Sequence, residues 1–226
     1  MKKRNLNSYQ IKKMTAVGMF CALAYVCMLV IKIPVQFLTL DVKDSLIVLC
    51  SLIFGPVSGL FIAVVVPFLE LITISGTGVY GFIMNVLSSV TFALTAGIIY
   101  RYKKSLTGAV VGLISAVFAV TSVMMLANLF VTPYYMGAPR SVVVAMIPTT
   151  LLPFNLVKAT LNAAIVLMLY KPLSVTLKRF GFLRTRANAA GDGTRAPSRI
   201  RSLVVSLVAA VIIAVSLLII FLVLRK

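Results

Sequence analysis

The amino-acid sequence predicts an all-α membrane protein that crosses the bilayer several times. Three observations lead to this fold class: 61% of the 226 residues are hydrophobic, only 12% are charged, and the apolar residues form long uninterrupted runs. A soluble domain is about 45–50% apolar and about 25% charged. A hydrocarbon core ~30 Å thick requires about 20 apolar residues per helix, whereas membrane barrels show shorter alternating segments. The composition therefore excludes a soluble globule, and the long runs exclude a barrel.

Six apolar segments follow a basic N-terminal stretch. They are predicted as membrane spans at residues 14–31, 43–54, 57–74, 80–100, 106–131 and within 141–170. The segment between the first two spans is predicted as a link, because Pro34 breaks a helix. The second span is short and suffices for a crossing only if neighbouring helices bury it. Residues 132–140 are predicted as a loop.

The composition divides the chain into four parts. Residues 1–13 form the basic N-terminus, and residues 14–180 form the six-span membrane domain. Residues 181–201 are basic and rich in Ala, Gly and Thr, which is typical of a solvated linker. Residues 202–226 contain a seventh apolar run without a charge from 203 to 224. We predict an additional transmembrane helix there, either an anchor or a partner helix.

Basic residues greatly outnumber acidic ones, with 22 Lys and Arg against 4 Asp and Glu. In a soluble protein this excess suggests nucleic-acid binding, but in a membrane protein it is typical of cytoplasmic loops. With the N-terminus inside, most of the basic residues flanking the six spans lie on the cytoplasmic side. The sequence therefore predicts a multi-pass protein of the plasma membrane with a cytoplasmic N-terminus. Arg225 and Lys226 would then lie outside, which disfavours the seventh crossing.

Several kinds of chemistry have no residues to support them. The chain contains no His, and its three Cys lie within apolar runs, where we interpret them as small core residues. No G-x-x-x-x-G-K-[ST] loop occurs, so the chain does not hydrolyse ATP by that route. Together with the scarcity of acidic residues, these absences predict a protein that is not an enzyme and has no metal site and no cofactor.

Lys158 is the most informative residue, because a charge at the centre of a membrane helix costs about 2.5–3.5 kcal/mol. Asn155, Lys158 and Asn162 share one helix face by their spacing, and two prolines lie just upstream. Interrupted backbone at membrane depth is tolerated mainly where it lines a cavity or is buried in protein. Two interpretations remain open: a ligand-binding face open to the outside, or an ion pair of Lys158 with Glu70 that only holds helices together.

Other polar residues fall on the same outer half of the predicted topology. Asp41 and Asp44 flank the outer end of the second span, and Asn128 lies near the outer end of the fifth. Alternatives remain for these residues: the two Asp form a capping arrangement with Lys43 at the membrane surface, and Asn85 joins helices by hydrogen bonding. A one-sided cluster of donors and acceptors favours a receptor that captures a hydrogen-bonding solute from outside, with aromatic and apolar residues around its ring.

Small residues at helical spacing predict close helix contacts. Gly18 and Ala22 form G-x-x-x-A in the first span, a pattern that lets another helix approach closely. The same spacing recurs in two glycine pairs, Gly55 with Gly59 and Gly108 with Gly112. Packing within the chain is the alternative for each pair. We expect the face with Gly18 and Ala22 to be the partner-docking surface.

Four sequence segments occur together between residues 10 and 180: F-L-T-L-D-V-K-D-S, L-I-F-G-P-V-S-G-L, N-L-F-V-T-P-Y-Y and N-L-V-K. In combination they resemble the substrate-binding subunits (S components) of energy-coupling factor (ECF) vitamin transporters, and most closely the riboflavin-specific kind. The resemblance implies a six-helix bundle that binds riboflavin near the outer face. It also implies that the link between the first two spans acts as a lid.

The resemblance further implies functional residues and partners. The implied substrate-binding residues are Asp41, Asp44, Asn128, Asn155 and Lys158. A transmembrane coupling subunit would dock on the face with Gly18 and Ala22, and two cytoplasmic ATPases would supply the energy. The linker and the seventh span depart from the family pattern.

The sequence therefore predicts a riboflavin-uptake subunit in which riboflavin is the transported ligand. Two alternatives remain: an S component for another vitamin, such as pantothenate or thiamine, and a secondary transporter that works alone. An ion-paired Lys158 in an interior without a cavity would contradict all of these binding functions.

Overall fold

The computed structural model describes residues 2–35, 38–179, 182, 206–216 and 218. Two short strands, β1 (Lys32–Val35) and β2 (Leu38–Asp41), lie between the first two helices. The helices are α1 (Lys2–Val30), α2 (Lys43–Phe54), α3 (Pro56–Thr73), α4 (Gly78–Tyr102), α5 (Leu106–Met136), α6 (Arg140–Met146), α7 (Leu152–Arg179) and α8 (Ser206–Ser216). Five helical segments in these ranges are long and apolar enough to cross a membrane. The all-α polytopic fold class is confirmed.

Helix α2 is the short central helix of the bundle. At about 1.5 Å per residue its 12 residues span only ~18 Å, less than the hydrocarbon thickness. Ten of the 12 residues are buried, because α1, α3, α4 and α7 all pack against it. Neighbouring helices rather than lipid therefore surround α2, which is the condition that the sequence analysis set for so short a span.

Residues 32–35 and 38–41 form the two strands of an antiparallel β-hairpin, so the predicted link between the first two spans is extended and not helical. Lys32 pairs with Asp41 at its open end, and Val35 pairs with Leu38 near its tip. Apolar residues alternate along both strands, which favours extended backbone. Pro34 is accommodated because a strand edge does not need every N–H as a donor. The hairpin brings Asp41 close to α7.

Helix α5 continues four residues beyond Thr132, where the sequence analysis placed a loop. It passes through Pro133 and ends at Gly137, whose φ of 62° is the left-handed conformation that terminates many helices. Thr132 is therefore one helical turn after Asn128, and the two side chains meet. The helix end thus extends the polar surface of α5 toward the hairpin.

The sixth span is interrupted where the prolines predicted it. Residues Ile147–Leu151 form a π-helical turn between α6 and α7, with Pro148 inside it and Pro153 just after it. A π turn shifts the hydrogen-bond ladder and is frequent at functional sites. It lies immediately before the α7 turn that carries Asn155 and Lys158.

The glycine pairs differ in what surrounds them. A Cβ on Gly59 would collide with the Ser51 side chain, and a Cβ on Gly112 would lie 3.0 Å from the Ala96 carbonyl oxygen. These glycines therefore allow α3 to approach α2 and α5 to approach α4. Gly18 is exposed, and a Cβ there would meet no atom within 4 Å. Only the α1 pair is available to a partner.

The predicted C-terminal parts are described only in places. The linker at 181–201 lies outside the described residues except for Phe182, and the seventh span is described at 206–216 and 218. The described portion is helical, as expected. The end of the bundle that contains β1, β2, residues 74–77 and residues 137–139 is called the hairpin end.

Candidate ligand-binding cleft

A cleft opens at the hairpin end between β2, α4, α5 and α7. It encloses about 110 Å³ and is lined by residues of all four elements. Its polar lining comprises Thr39, Thr77, Asn85, Ser88, Asn128, Thr132, Asn155 and Lys158. Three of the five predicted substrate-binding residues, Asn128, Asn155 and Lys158, therefore come together in one cavity.

The two cleft asparagines are oriented by their own helices. The Asn155 Nδ2 donates to the Leu151 carbonyl oxygen at 2.8 Å, and the Asn128 Nδ2 donates to the Met124 carbonyl oxygen at 2.7 Å. The Thr132 hydroxyl donates to Asn128 Oδ1 at 2.7 Å. Among the described residues, no donor bonds Asn155 Oδ1. This carbonyl oxygen can accept a hydrogen bond from a ligand.

Lys158 is ion-paired and faces the cleft at the same time. Its Nζ lies 2.9 Å from Asp41 Oδ2 and donates to the Thr39 carbonyl oxygen at 3.3 Å. The predicted partner in the structural alternative was Glu70, and that assignment was wrong. An ammonium has three donors, so one remains for a ligand after these two contacts. The lysine side chain is 13% exposed and lines a cavity, which is not the solid interior that would exclude a binding site.

Asp41 and Asp44 are buried next to the cleft but do not line it. Burial raises the pKa of the Asp41 carboxyl, but the ammonium groups of Lys158 and Lys43 outweigh it and hold this pKa below its ordinary value. Asp44 accepts a 2.5 Å hydrogen bond from the Ser89 hydroxyl of α4. Asp41 therefore positions Lys158, and Asp44 joins α2 to α4. Direct contact of either aspartate with a ligand stays a prediction.

A second buried ion-pair network lies beside the first. The Lys43 Nζ donates to Glu70 Oε2 at 2.6 Å and lies 3.7 Å from Asp41 Oδ2. Lys32 contacts the other Glu70 oxygen at 3.3 Å, and the Asn85 amide donates to Glu70 at 3.0 Å. Lys43 is only 1% exposed, so the alternative of a capping group at the membrane surface was wrong for it. Asn85 joins α4 to α3 through this bond, as one of its alternatives held, and it also lines the cleft.

Asn162 fixes the junction between the hairpin and α2. Its Nδ2 donates to the carbonyl oxygens of Asp41 and Lys158, each at 3.0 Å, and its Oδ1 accepts from the Ser45 N–H at 2.8 Å. This fully buried amide therefore connects the backbone of β2, the first turn of α2 and α7 by hydrogen bonds. The predicted face of Asn155, Lys158 and Asn162 is thus real, but its last member serves the backbone.

Aromatic and thioether side chains supply the apolar walls. Tyr80, Met84, Met124, Tyr135 and Phe154 line the cleft. Flat rings and flexible Met side chains suit an aromatic ligand. Sequence reasoning missed Thr39 and Thr132. Asn128 and Thr132 are four residues apart, so they share a helix face once α5 is known to continue beyond residue 131.

Within the described ranges, no group of three Cys, Asp or Glu side chains is placed to hold a metal ion. The absence of a cofactor stays a prediction. The residues that are assembled offer hydrogen bonds and stacking surfaces. These features are typical of a polytopic membrane protein with a solute-binding site at one end of a helical bundle.

Comparison with known proteins identifies the family. The family described as "ECF transporter, substrate-specific component" matches residues 12–170, most of the chain. The protein belongs to this family, and the resemblance found in the sequence is confirmed.

Two curated relatives and one solved structure agree with this assignment. The riboflavin transporter RibU of Staphylococcus aureus (strain TCH60) is 33% identical over 187 residues, covering 78% of this chain and 98% of that protein. The riboflavin transporter FmnP of Bacillus subtilis (strain 168) is 24% identical over 175 residues, covering 71% and 91%. A structure of the S component of a bacterial ECF transporter superposes with a TM-score of 0.65 and 33% identity, covering 75% and 99%. The chain is a multi-pass membrane transport protein and not an enzyme.

Proposed function

We propose that this protein is the riboflavin-binding subunit of an ECF-type uptake transporter. The observation that carries the proposal is the convergence of Asn128, Asn155 and Lys158 on one cleft with aromatic walls. Riboflavin has a hydrogen-bonding pyrimidine edge, an apolar dimethylbenzene edge and a hydroxylated ribityl chain, so it offers a partner to each kind of lining residue. The names of the two curated relatives support the same ligand.

In the proposed complex the isoalloxazine ring lies between the aromatic and Met side chains. Asn155 Oδ1 accepts from the ring or the ribityl chain, and the remaining donor of Lys158 engages a ligand oxygen. Leaving a buried polar group unpaired costs about 1–3 kcal/mol. Flavin analogues that lack the matching donor or acceptor are therefore rejected.

The cleft must widen to admit such a ligand. It encloses about 110 Å³, whereas pockets for small organic ligands are roughly 300–1,000 Å³. The hairpin contributes Leu38 and Thr39 to the cleft wall. Displacement of this small element enlarges the cavity without unpacking the helices, so we assign the hairpin the role of a lid.

Capture takes place at the outer face with the N-terminus in the cytoplasm. The positive-inside distribution of Lys and Arg supports this orientation, and the hairpin end is then external. Release to the inside relies on a transmembrane coupling subunit and cytoplasmic ATPases. These partners would supply the energy of ATP hydrolysis, because the sequence of this chain contains no phosphate-binding loop of the G-x-x-x-x-G-K-[ST] type.

Titration of the purified full chain tests the ligand. We expect flavin fluorescence to be quenched with saturation at one riboflavin per chain, and unlabelled thiamine or pantothenate at the same concentrations to leave the quenching unchanged. Displacement by either vitamin, or no quenching at all, would reject riboflavin as the ligand. Uptake into vesicles that contain this chain alone and an ion gradient would instead favour the secondary-transporter alternative.

A further inference from the structure

The C-terminal helix α8 has one face against the rest of the protein. Ala209 is fully buried and Ser216 is nearly so, whereas Leu207 and Val211 are exposed by 68% and 55%. Between the two buried residues, Ile213 packs on the protein. Ala209, Ile213 and Ser216 are spaced i, i+4 and i+7, so they lie on one stripe of the helix. A stripe of this kind indicates specific docking rather than a helix free in lipid.

The surface beneath α8 is formed by the hairpin and α7. Ile213 contacts an apolar cluster whose buried members are Val35 of β1, Leu40 of β2 and Leu161 of α7. The same hairpin supplies Thr39 to the cleft wall, and the same helix supplies Lys158. Ile213 of α8 therefore packs on the apolar cluster that joins these two elements beside the cleft.

This helix lies beyond the part of the chain that matches the family. The family match ends at residue 170, and 78% of this chain already accounts for 98% of the Staphylococcus aureus relative. The hairpin has strands of only four residues each, and an isolated two-stranded hairpin is marginally stable. Contacts from α8 thus add to those that Asp41 makes with Lys158 and Asn162.

We propose that α8 is a built-in clamp that holds the hairpin against α7 and slows the opening of the cleft. Lipid is as apolar as the covered cluster, so close packing rather than burial from water provides the stabilisation. The fully buried Ala209 allows that close approach. Movement of the hairpin away from α7 breaks the contacts of Ile213, which raises the barrier to opening. The consequence for ligand exchange rests on the proposed function, whereas the restraint on the hairpin does not.

Two variants of the full chain test the clamp, with a matched control. Ile213→Ala removes the packed side chain, Ala209→Leu forces the helix away, and Val211→Ala shortens an exposed side chain on the opposite side. Hydrogen exchange of strands 32–35 and 38–41, measured without ligand, reports on the hairpin. Release of pre-bound riboflavin, followed as the return of its fluorescence during dilution, reports on opening.

We expect both packing variants to increase hairpin exchange and riboflavin release by about tenfold, the factor equivalent to ~1.4 kcal/mol, and Val211→Ala to match the unmodified protein. Unchanged exchange in both packing variants would overturn the clamp. So would faster exchange with an unchanged release rate, because the hairpin would then not limit opening. If the protein does not bind riboflavin, the hydrogen-exchange result still decides whether α8 restrains the hairpin.

Discussion

The Lys158 ammonium lies 2.9 Å from the Asp41 carboxylate, and this ion pair connects α7 to the hairpin. Of the two residues, Lys158 lines the cavity, whereas Asp41 is buried behind it. Asp41 Oδ1 has no hydrogen-bond partner among the described residues. A ligand that engages Lys158 therefore acts on the residue that also holds the hairpin, which couples occupancy of the cleft to the position of its wall.

The ion pair can be tested with a double-mutant cycle. Lys158→Met leaves the buried Asp41 with Lys43 at 3.7 Å as its remaining cation, and Asp41→Asn leaves Lys158 without its counter-charge. Breaking a buried pair costs about 3–5 kcal/mol, whereas removing both charges is often close to neutral. We expect each single variant to lower the thermal stability in detergent and the double variant Asp41→Asn/Lys158→Met to recover much of the loss.

Riboflavin titration of the same three variants separates the two roles of Lys158. Because Lys158 faces the cleft, the double variant should still bind riboflavin weakly even if its thermal stability recovers. Full recovery of affinity together with stability would show that Lys158 acts only through the hairpin and does not contact the ligand.

Asn155 offers a cleaner test of direct ligand contact. Among the described residues its side chain bonds only the Leu151 carbonyl, one turn earlier in the chain, so Asn155→Ala should leave the fold nearly unchanged. Loss of one buried hydrogen bond to the ligand weakens binding by about 1–3 kcal/mol, which fluorescence-quenching titration measures directly. Thr176→Ala is the matched control, because the Thr176 hydroxyl also bonds a carbonyl of its own helix, at Pro172, and lies outside the cleft. Equal affinity of both variants would remove Asn155 from the site.

Glu70 is predicted to be a stability residue rather than a ligand contact. Glu70→Gln weakens the 2.6 Å contact with Lys43, whose side chain is almost fully buried. Breaking this buried pair should cost about 3–5 kcal/mol, because the remaining carboxylate, Asp41, lies farther from the ammonium, at 3.7 Å. Lys32→Ala, which removes a partner that is 28% exposed, should cost ~1 kcal/mol or less. Thermal unfolding of both variants checks this order, and similar melting temperatures for the two would contradict it.

The spans were predictable from sequence because bilayer thickness fixes the length of an apolar run. The polar residues Asn128, Asn155 and Lys158 were identified for a related reason, since a polar group within lipid is costly and must serve a purpose. Both kinds of signal are local, and each can be recognised within about one helix.

The errors arose where tertiary partners decide the outcome. Pro34 argued correctly against a helix, but pairing of Lys32 with Asp41 in a hairpin depends on a second strand. Residues 132–140 were predicted as a loop, yet α5 continues through Pro133 to Met136. Lys158 pairs with Asp41 because the hairpin brings Asp41 to α7. This tertiary contact could not be read from the sequence, which offered Glu70 as the alternative partner.

The last prediction concerns the partner surface on α1. Gly18 and Ala22 are exposed, and a Cβ added at Gly18 would lie more than 4 Å from every described atom outside its own helix backbone. Gly18→Leu should therefore leave folding and riboflavin binding intact but impair uptake by vesicles that also contain the coupling subunit and the ATPases. Gly59→Leu is the contrasting variant, because its side chain would collide with Ser51 and overpacking costs about 1–3 kcal/mol; it should lower stability itself. Normal uptake by the Gly18→Leu protein would place the coupling subunit elsewhere, since a leucine in the middle of a close helix contact would prevent that approach.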